Sequence, residues 1–334
     1  MKSILYLFYV MLFPWVAFSQ QNPIVINGEA QGSTYHIVYF DKQNRNFKQE
    51  VKQLLKDFDL SLSTYIPNSI ISRINSNDPN VKVDTYFKVC FKKAKEIWKN
   101  TDGAFDPTVY PLVNAWGFGP GKKLNIEETK IDSILEFVGF NKIKLNDERI
   151  IKADPRVSLD FNAFAQGYSV DVVSEFLNSQ NINAYLVEIG GEVYAKGEKP
   201  NGNYWTIGIE QPIDNKDTEN PFKAIVKLKD LAIATSGDYR RFIIENGMKY
   251  SHSISPKTGY PTKNKLLSVS ILSKECITAD ATATGIMVMG LEKAINYLKK
   301  HTELQAYLIY SDENGAYKTF ETPGLKSMIT EVNE

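Results

Sequence analysis

The spacing of apolar and polar positions divides the chain into recognisable stretches. Residues 34–40 (TYHIVYF) are rich in β-branched and aromatic types and predict a strand. Phe47, Val51, Leu54, Leu55 and Phe58 then recur at three- and four-residue intervals. Phe87, Cys90, Phe91, Ala94, Ile97 and Trp98 do the same, so two amphipathic helices are expected. A third spans 167–178, with Val172, Val173, Phe176 and Leu177 on one face. From 184 onward the period shortens to that of strands, at 184–189, 204–209, 231–235, 241–245 and 267–272. A helix from about Asp280 to Met289, another through Leu298 and a strand at 305–310 complete the pattern. Helices cluster early and strands late, which predicts an α+β fold over a regular βαβ alternation. No repeat, low-complexity tract or Pro/Gly/Ser-rich linker divides residues 20–334, so one compact unit of mostly antiparallel sheet packed with helices is expected.

Residues 1–19 stand apart. Lys2 precedes an apolar run over 4–18, and Ala17 and Ser19 supply small residues before the polar Gln20, Gln21 and Asn22. That is the pattern of a cleaved signal peptide. A helix over 4–18 would reach only about 22 Å, short of the ~30 Å hydrocarbon core. The mature protein is therefore expected to be exported and periplasmic, with inner-membrane association if the signal stays uncleaved.

Composition narrows the chemistry. Of 334 residues, 43% are hydrophobic and 12% aromatic, the profile of a globular chain. Lys plus Arg and Asp plus Glu each total 39, which leaves no basic excess to neutralise nucleic-acid phosphates. Three His and two Cys are little material for a zinc cage or a disulfide framework. Cys90 and Cys276 could pair in an oxidising compartment. Cys90 sits in a helical apolar pattern, however, where a buried thiol is as natural.

Common enzyme signatures are missing. Gly117, Gly119 and Gly121 resemble a phosphate loop, but Lys122 stands where a dinucleotide fingerprint needs glycine. Gly197 and Gly202 have Walker spacing without the following Lys and Ser/Thr. HExxH, CxxC and GxSxG are absent.

Four polar, turn-rich segments remain. In 101–108 (TDGAFDPT), Gly and Pro make a rigid loop after a helix, where Asp106 can satisfy backbone amides. In 158–168 (SLDFNAFAQGY), Asp160 is flanked by apolar residues and needs a partner or a ligand. Asp171 falls in the first turn of the expected helix, where the dipole favours a carboxylate, and reads as structural. The third pairs 234–241 (ATSGDYRR) with 252–259 (HSISPKTG). Its donors suit an anionic ligand, with an ordinary Asx turn as the alternative, and His252 stands beside other polar candidates, where a lone histidine is more often structural than catalytic. In 278–285 (TADATATG), Asp280 and Thr284 share one helix face. Together they are hard-oxygen ligands suited to Mg2+. On spacing alone, Asp280 as the N-cap of a new helix is the stronger reading.

In this order the segments resemble the ApbE family of FAD:protein FMN transferases, from about Gly28 to Gly290. The family's M-G-T-x-Y element appears as Gln31-Gly32-Ser33-Thr34-Tyr35, and its L-S-x-Y-x-x-x-S-x-I-S-x-x-N element as 62–75. G-A-F-D-P-T is intact at 103–108 and is followed by W-G-F-G at 116–119. L-D-x-x-A-x-A-K-G-Y-x-x-D matches 159–171 except at Gln166, and Gly190-Gly191, T-S-G-D-Y, H-x-I-x-P-x-T-G and A-D-A-x-A-T are present. The resemblance implies an FAD cleft between the two halves of the domain, lined by Gln31, Ala104, Phe105, Asp106, Asp160, Gln166 and Ile254. It implies Mg2+ at the pyrophosphate, bound by the Ala163 carbonyl, the Asp280 carboxylate and the Thr284 hydroxyl. It also implies transfer of FMN to a threonine of an acceptor flavoprotein, a membrane redox subunit or a periplasmic protein, with AMP leaving. His252 or a nearby carboxylate would receive the threonine proton.

Three positions depart from the pattern. Gln166 replaces lysine and removes a charge near the phosphates. Ser255 replaces aspartate, and Gln31 replaces methionine. These departures keep two further readings open, a Mg2+-dependent FAD pyrophosphatase giving FMN and AMP and a non-catalytic flavin-binding protein.

Overall fold

The structure is a computed structural model that describes residues 22–119, 128–212, 221–237, 242–245, 248–251, 253–263 and 265–332. The expected signal segment 1–19, Lys122, residues 238–241 and His252 lie outside the described residues.

Strands β1 (Ile24–Ala30) and β2 (Ser33–Tyr39) lead into helices α1 (Lys48–Leu62), α2 (Ile70–Asn75), α3 (Thr85–Asn100), α4 (Tyr110–Trp116) and α5 (Glu128–Leu135). A small hairpin of β3 (Ile143–Asn146) and β4 (Arg149–Lys152) precedes α6 (Ala165–Ser179). Next come β5 (Tyr185–Ile189), β6 (Glu192–Lys196), β7 (Trp205–Glu210), β8 (Phe222–Leu228), β9 (Leu231–Gly237), β10 (Phe242–Glu245), β11 (Met248–Ser251) and β12 (Leu266–Ser273). The chain closes with α7 (Cys276–Met289), α8 (Leu291–Lys300), β13 (Gln305–Ser311), β14 (Tyr317–Glu321) and β15 (Ile329–Glu331).

The main sheet has eight strands in the order β1-β2-β5-β6-β9-β12-β13-β14, with antiparallel pairing throughout. Strand alternation gives it two buried faces. Tyr185, Val187 and Ile189 of β5 pack with Val170, Val173 and Leu177 of α6. Val269 and Ile271 of β12 and Ala306 and Leu308 of β13 pack with Ala279, Ala283, Ile286 and Met287 of α7. The interleaved residues Leu186, Ile233, Tyr307 and Ile309 face the other way, against Trp205, Ile209, Ala224 and Val226 of the three-stranded sheet β15-β8-β7. The layers are thus helices, large sheet and small sheet. The α+β expectation holds, and α1 and α3 bring a further core around Phe87, Phe91, Phe161 and Phe164 to the edge of α6.

Two sequence expectations change here. The helix expected from Asp280 begins four residues earlier, at Cys276, so Asp280 lies in its second turn and is not its N-cap. The third helix begins at Ala165, so Asp171 lies beyond its first turn. Cys90 and Cys276 are both buried and free, with burial raising both thiols, so the pairing alternative is set aside.

Candidate active site

The β1–β2 turn, the β5–β6 turn, the end of β9 and the first turn of α6 gather at one end of the large sheet. What brings α7 to the same place is an exchange of carboxylates between two helices. The first N–H groups of an α-helix lack intrahelical acceptors. Asp280 of α7 accepts the Gly167 N–H of α6 at 2.9 Å through Oδ2. In return Asp171 of α6 accepts the Cys276 and Ile277 N–H groups of α7, each at 2.8 Å. The dipole reading of Asp171 was right in kind but wrong in address, because the helix end it serves is not its own. Likewise Asp280 does cap a helix, but it caps α6.

This exchange needs the helices close. A Cβ on Gly167 would sit 2.6 Å from the Cys276 carbonyl oxygen and 2.7 Å from the Asp280 Cβ, closer than non-bonded atoms approach. Both carboxylates are desolvated by burial, which pushes each up to about 7. The backbone hydrogen bonds pull them back down in part, and each also sits among other acidic groups.

One turn beyond Asp280, the Thr284 hydroxyl donates to the Ala163 carbonyl at 3.2 Å, with the Ser236 hydroxyl 3.4 Å from it. Mg2+ holds its oxygens octahedrally at about 2.0–2.1 Å, which puts neighbouring ligands about 3 Å apart. The 3.2 Å separation is close to that spacing. Carbonyl, hydroxyl and carboxylate are hard donors, and the carboxylate is one that burial leaves short of compensating charge. Among the described residues no cluster of three or more His, Cys, Asp or Glu forms. The residues present therefore fit Mg2+.

Around these oxygens the other expected residues fall into two groups. Gln31 occupies the two-residue β1–β2 turn with Gly32, at φ 55° and 72°. An ordinary side chain pays about 1–2 kcal/mol for that left-handed backbone. The Gln31 Oε1 lies 3.3 Å from the Ser169 hydroxyl, which itself donates to the Gln166 carbonyl at 2.7 Å. The Gln31 Nε2 is buried and makes no hydrogen bond of ordinary length. Asp59, pushed up to about 6 by burial, is pulled back down in part by the Gln31 side chain. A buried donor left unpaired costs ~1–3 kcal/mol, which an incoming acceptor would recover. The Gln166 side chain lies over the main chain of the Gly190 turn. Asp160 is half-buried and pushed up to about 6 by burial. Its own N–H donates to the Pro107 carbonyl at 2.8 Å, and its Oδ1 accepts the Asn162 N–H at 2.8 Å. Gln31, Gln166, Ala163, Asp280 and Thr284 thus converge around the start of α6, with Asp160 five residues before that helix.

The second group turns inward. Asp106 accepts the Thr108 N–H and hydroxyl at 2.8 and 2.6 Å and the Phe140 N–H at 2.9 Å. It braces its loop, the backbone-satisfying role that the sequence allowed. Phe105 is buried edge-on against Phe164, with ring centroids 5.3 Å apart. Ile254 is buried with Leu112 and Trp116. Phe105, Asp106 and Ile254 can therefore offer a ligand little but main chain, while Ala104 keeps partial exposure. The loop nonetheless abuts α7, since a Cβ on Gly285 would lie 3.0 Å from Thr101 Cγ2 and 3.3 Å from Phe105 Cβ. Ser255 caps a local turn, its hydroxyl accepting the Thr258 N–H at 3.3 Å.

Asn75 is a positioning residue whose role the sequence did not reveal. Its side-chain amide donates to the Leu159 carbonyl and accepts the Leu159 N–H, both at 2.8 Å, fixing the main chain beside Asp160. The only signal was its place at the end of the serine-rich element. The serines there build a turn, with Ser69 donating to the Ser63 carbonyl at 2.7 Å.

Residues 31–308 match the ApbE family. The chain is 36% identical over 325 residues to the FAD:protein FMN transferase of Haemophilus influenzae, covering 93% of this chain and 92% of the relative. It is 35% identical to the protein of that name from Vibrio cholerae, covering 91% and 92%. The fold superposes on the flavin transferase ApbE from Vibrio cholerae with a TM-score of 0.83 at 33% identity, covering 92% of this chain and 99% of that one. The flavinyl transferase ApbE of Pseudomonas stutzeri gives 0.81 at 30% identity, covering 92% and 97%. A match over more than nine-tenths of the chain in sequence and fold, with the stretches 103–106, 163–167 and 280–285 meeting beside the start of α6, places the chain in the ApbE family.

Proposed function

We propose that the protein transfers FMN from FAD to a threonine hydroxyl of an acceptor protein, with Mg2+ at the pyrophosphate and AMP leaving. The observation that carries the reading is the meeting of the Ala163 carbonyl, the Thr284 hydroxyl and the Asp280 helix face, drawn from stretches more than a hundred residues apart. The relatives' shared name, FAD:protein FMN transferase, supplies the donor and the kind of acceptor.

When bound, the cation would neutralise charge developing on the phosphate oxygens. The Gln31 amide and the main chain of 104–106 would hold the dinucleotide, and Asp160 would face it from the segment before α6. The acceptor oxygen bonds to the FMN phosphorus as the bond from that phosphorus to the bridging oxygen breaks. AMP carries that oxygen away, and the hydroxyl proton passes to a base, His252 in this reading. The apolar run over 4–18 supports export to the periplasm, where the acceptor would be a membrane redox subunit or a periplasmic flavoprotein. Among the described residues no helix is long and apolar enough to cross a membrane.

The test is to incubate the mature protein with FAD, Mg2+ and a threonine-containing acceptor fragment and to weigh the fragment. A mass gain of one FMN less one water, absent when EDTA is included in the reaction, is expected. No gain under conditions where a relative modifies the same fragment overturns the reading. AMP and free FMN appearing without acceptor would instead identify a pyrophosphatase.

A further inference from the structure

We infer that Asp171, outside the set expected to touch flavin or metal, is a positioning residue for the cation site. Through its two hydrogen bonds to the start of α7 it sets where Asp280 and Thr284 stand. The inference rests on the Mg2+ reading above. Three observations carry it. Both Asp171 oxygens are spent on main chain, one each on the Cys276 and Ile277 N–H groups at 2.8 Å, and these are the first two residues of α7. The same helix supplies Asp280 one turn later and Thr284 a turn after that. The contact is returned, because Asp280 Oδ2 takes the Gly167 N–H at 2.9 Å, so the two helices are pinned at two points in a buried interface.

A single pin would leave α7 free to rotate about it or slide along its axis. Two pins of opposite direction fix both motions, and with them the distance from Thr284 to the Ala163 carbonyl just before α6. Gly167 makes the arrangement possible by leaving no Cβ between the pins. The arrangement follows the general rule that partners outside a ligand set orient it and tune affinity by about 10–100-fold.

The variants are Asp171→Asn, which keeps one acceptor but turns an amide donor toward the other N–H, and Asp171→Ala, which removes both. The reference is Val226→Ala, a core truncation in β8 on the opposite face of the large sheet. Mn2+ affinity is measured by EPR on the full-length folded proteins, with and without FAD, alongside unfolding midpoints. Asp171→Asn is expected to weaken Mn2+ binding about 10–100-fold and Asp171→Ala further still. Val226→Ala should lower the midpoint with less than about a twofold change in affinity, as a change outside the ligand shells should. If the wild-type protein binds Mn2+ and Asp171→Asn binds it equally well, the positioning role is overturned while the metal reading stands. Equal weakening in Asp171→Asn and Val226→Ala also overturns it, by reducing the effect to general loosening. Absence of Mn2+ binding by the wild-type protein, even with FAD, removes the metal reading and this inference with it.

Discussion

Replacing Gly167 with alanine separates two opposed expectations. At an ordinary helical position the change would stabilise the protein by about 1 kcal/mol, since alanine forms helix more readily than glycine. Here the new methyl would sit 2.6 Å from the Cys276 carbonyl oxygen and 2.7 Å from the Asp280 Cβ. The first of these is main chain and cannot swing aside, so α6 and α7 must separate by several tenths of an ångström. Overpacking of this kind costs ~1–3 kcal/mol. Stretching the Gly167–Asp280 bond forfeits part of a further ~0.5–1.5 kcal/mol. Against the propensity gain of ~1 kcal/mol, the net expectation is destabilisation by about 1–3 kcal/mol. Urea unfolding followed by tryptophan fluorescence and far-ultraviolet dichroism measures it directly, with an unchanged slope indicating that only stability moved. A Gly167→Ala protein as stable as the parent, or more so, would mean that the helices are not held as close as described, and the account of the site would fall with that contact.

Other expectations follow from the same geometry. Asp280→Asn should abolish Mg2+-dependent turnover while shifting stability by no more than about 1–2 kcal/mol, because it removes a desolvated charge as well as a cap. Retained turnover with a normal metal response would refute the ligand assignment. Without divalent ions, Asp171 and Asp280 hold protons in the folded state up to about pH 7, whereas the unfolded chain releases them near 4. Stability should therefore fall as pH rises from 5 to 7.5 in EDTA. Asp59 and Asp160, also raised, to about 6, push the same way. A urea midpoint that rises over that interval contradicts the burial argument. Gln166→Lys should tighten FAD binding about fivefold, the ~1 kcal/mol by which a charged hydrogen bond exceeds a neutral one. Flavin fluorescence quenching would show this, and no change would place residue 166 away from the phosphates. Asn75→Ala, which removes both bonds to Leu159, should cost ~1–3 kcal/mol. An unfolding midpoint equal to the parent's would show the clamp to be idle.

The elements that the sequence made legible are those whose apolar period is complete in itself. Val51, Leu55 and Phe58 mark α1, which buries one regular face, and Tyr185 to Ile189 mark β5 as an apolar run buried on both faces of the sheet. The edge strands β1 and β14 carry weaker patterns, having a partner on one side only, and the spacing did not announce them. Three of the motifs also come together in space, since the Phe105 loop abuts α7 and the stretch from Ala163 to Gly167 bonds to Thr284 and Asp280. What the motifs could not separate was side chain from main chain. Asp106 and Ile254 lie in stretches that reach the site, yet their side chains point into the core.

The two aspartates show the dividing line most clearly. Local sequence determined that Asp171 and Asp280 stand near helix starts, Asp280 among alanines and threonines small enough to allow close packing. It could not determine whose amides they serve, because a carboxylate's attraction to exposed N–H groups is the same for its own helix and for a neighbour's. That choice is made by bonds between residues 113, 105 and 106 positions apart. It exists only once α6 and α7 lie side by side on the sheet.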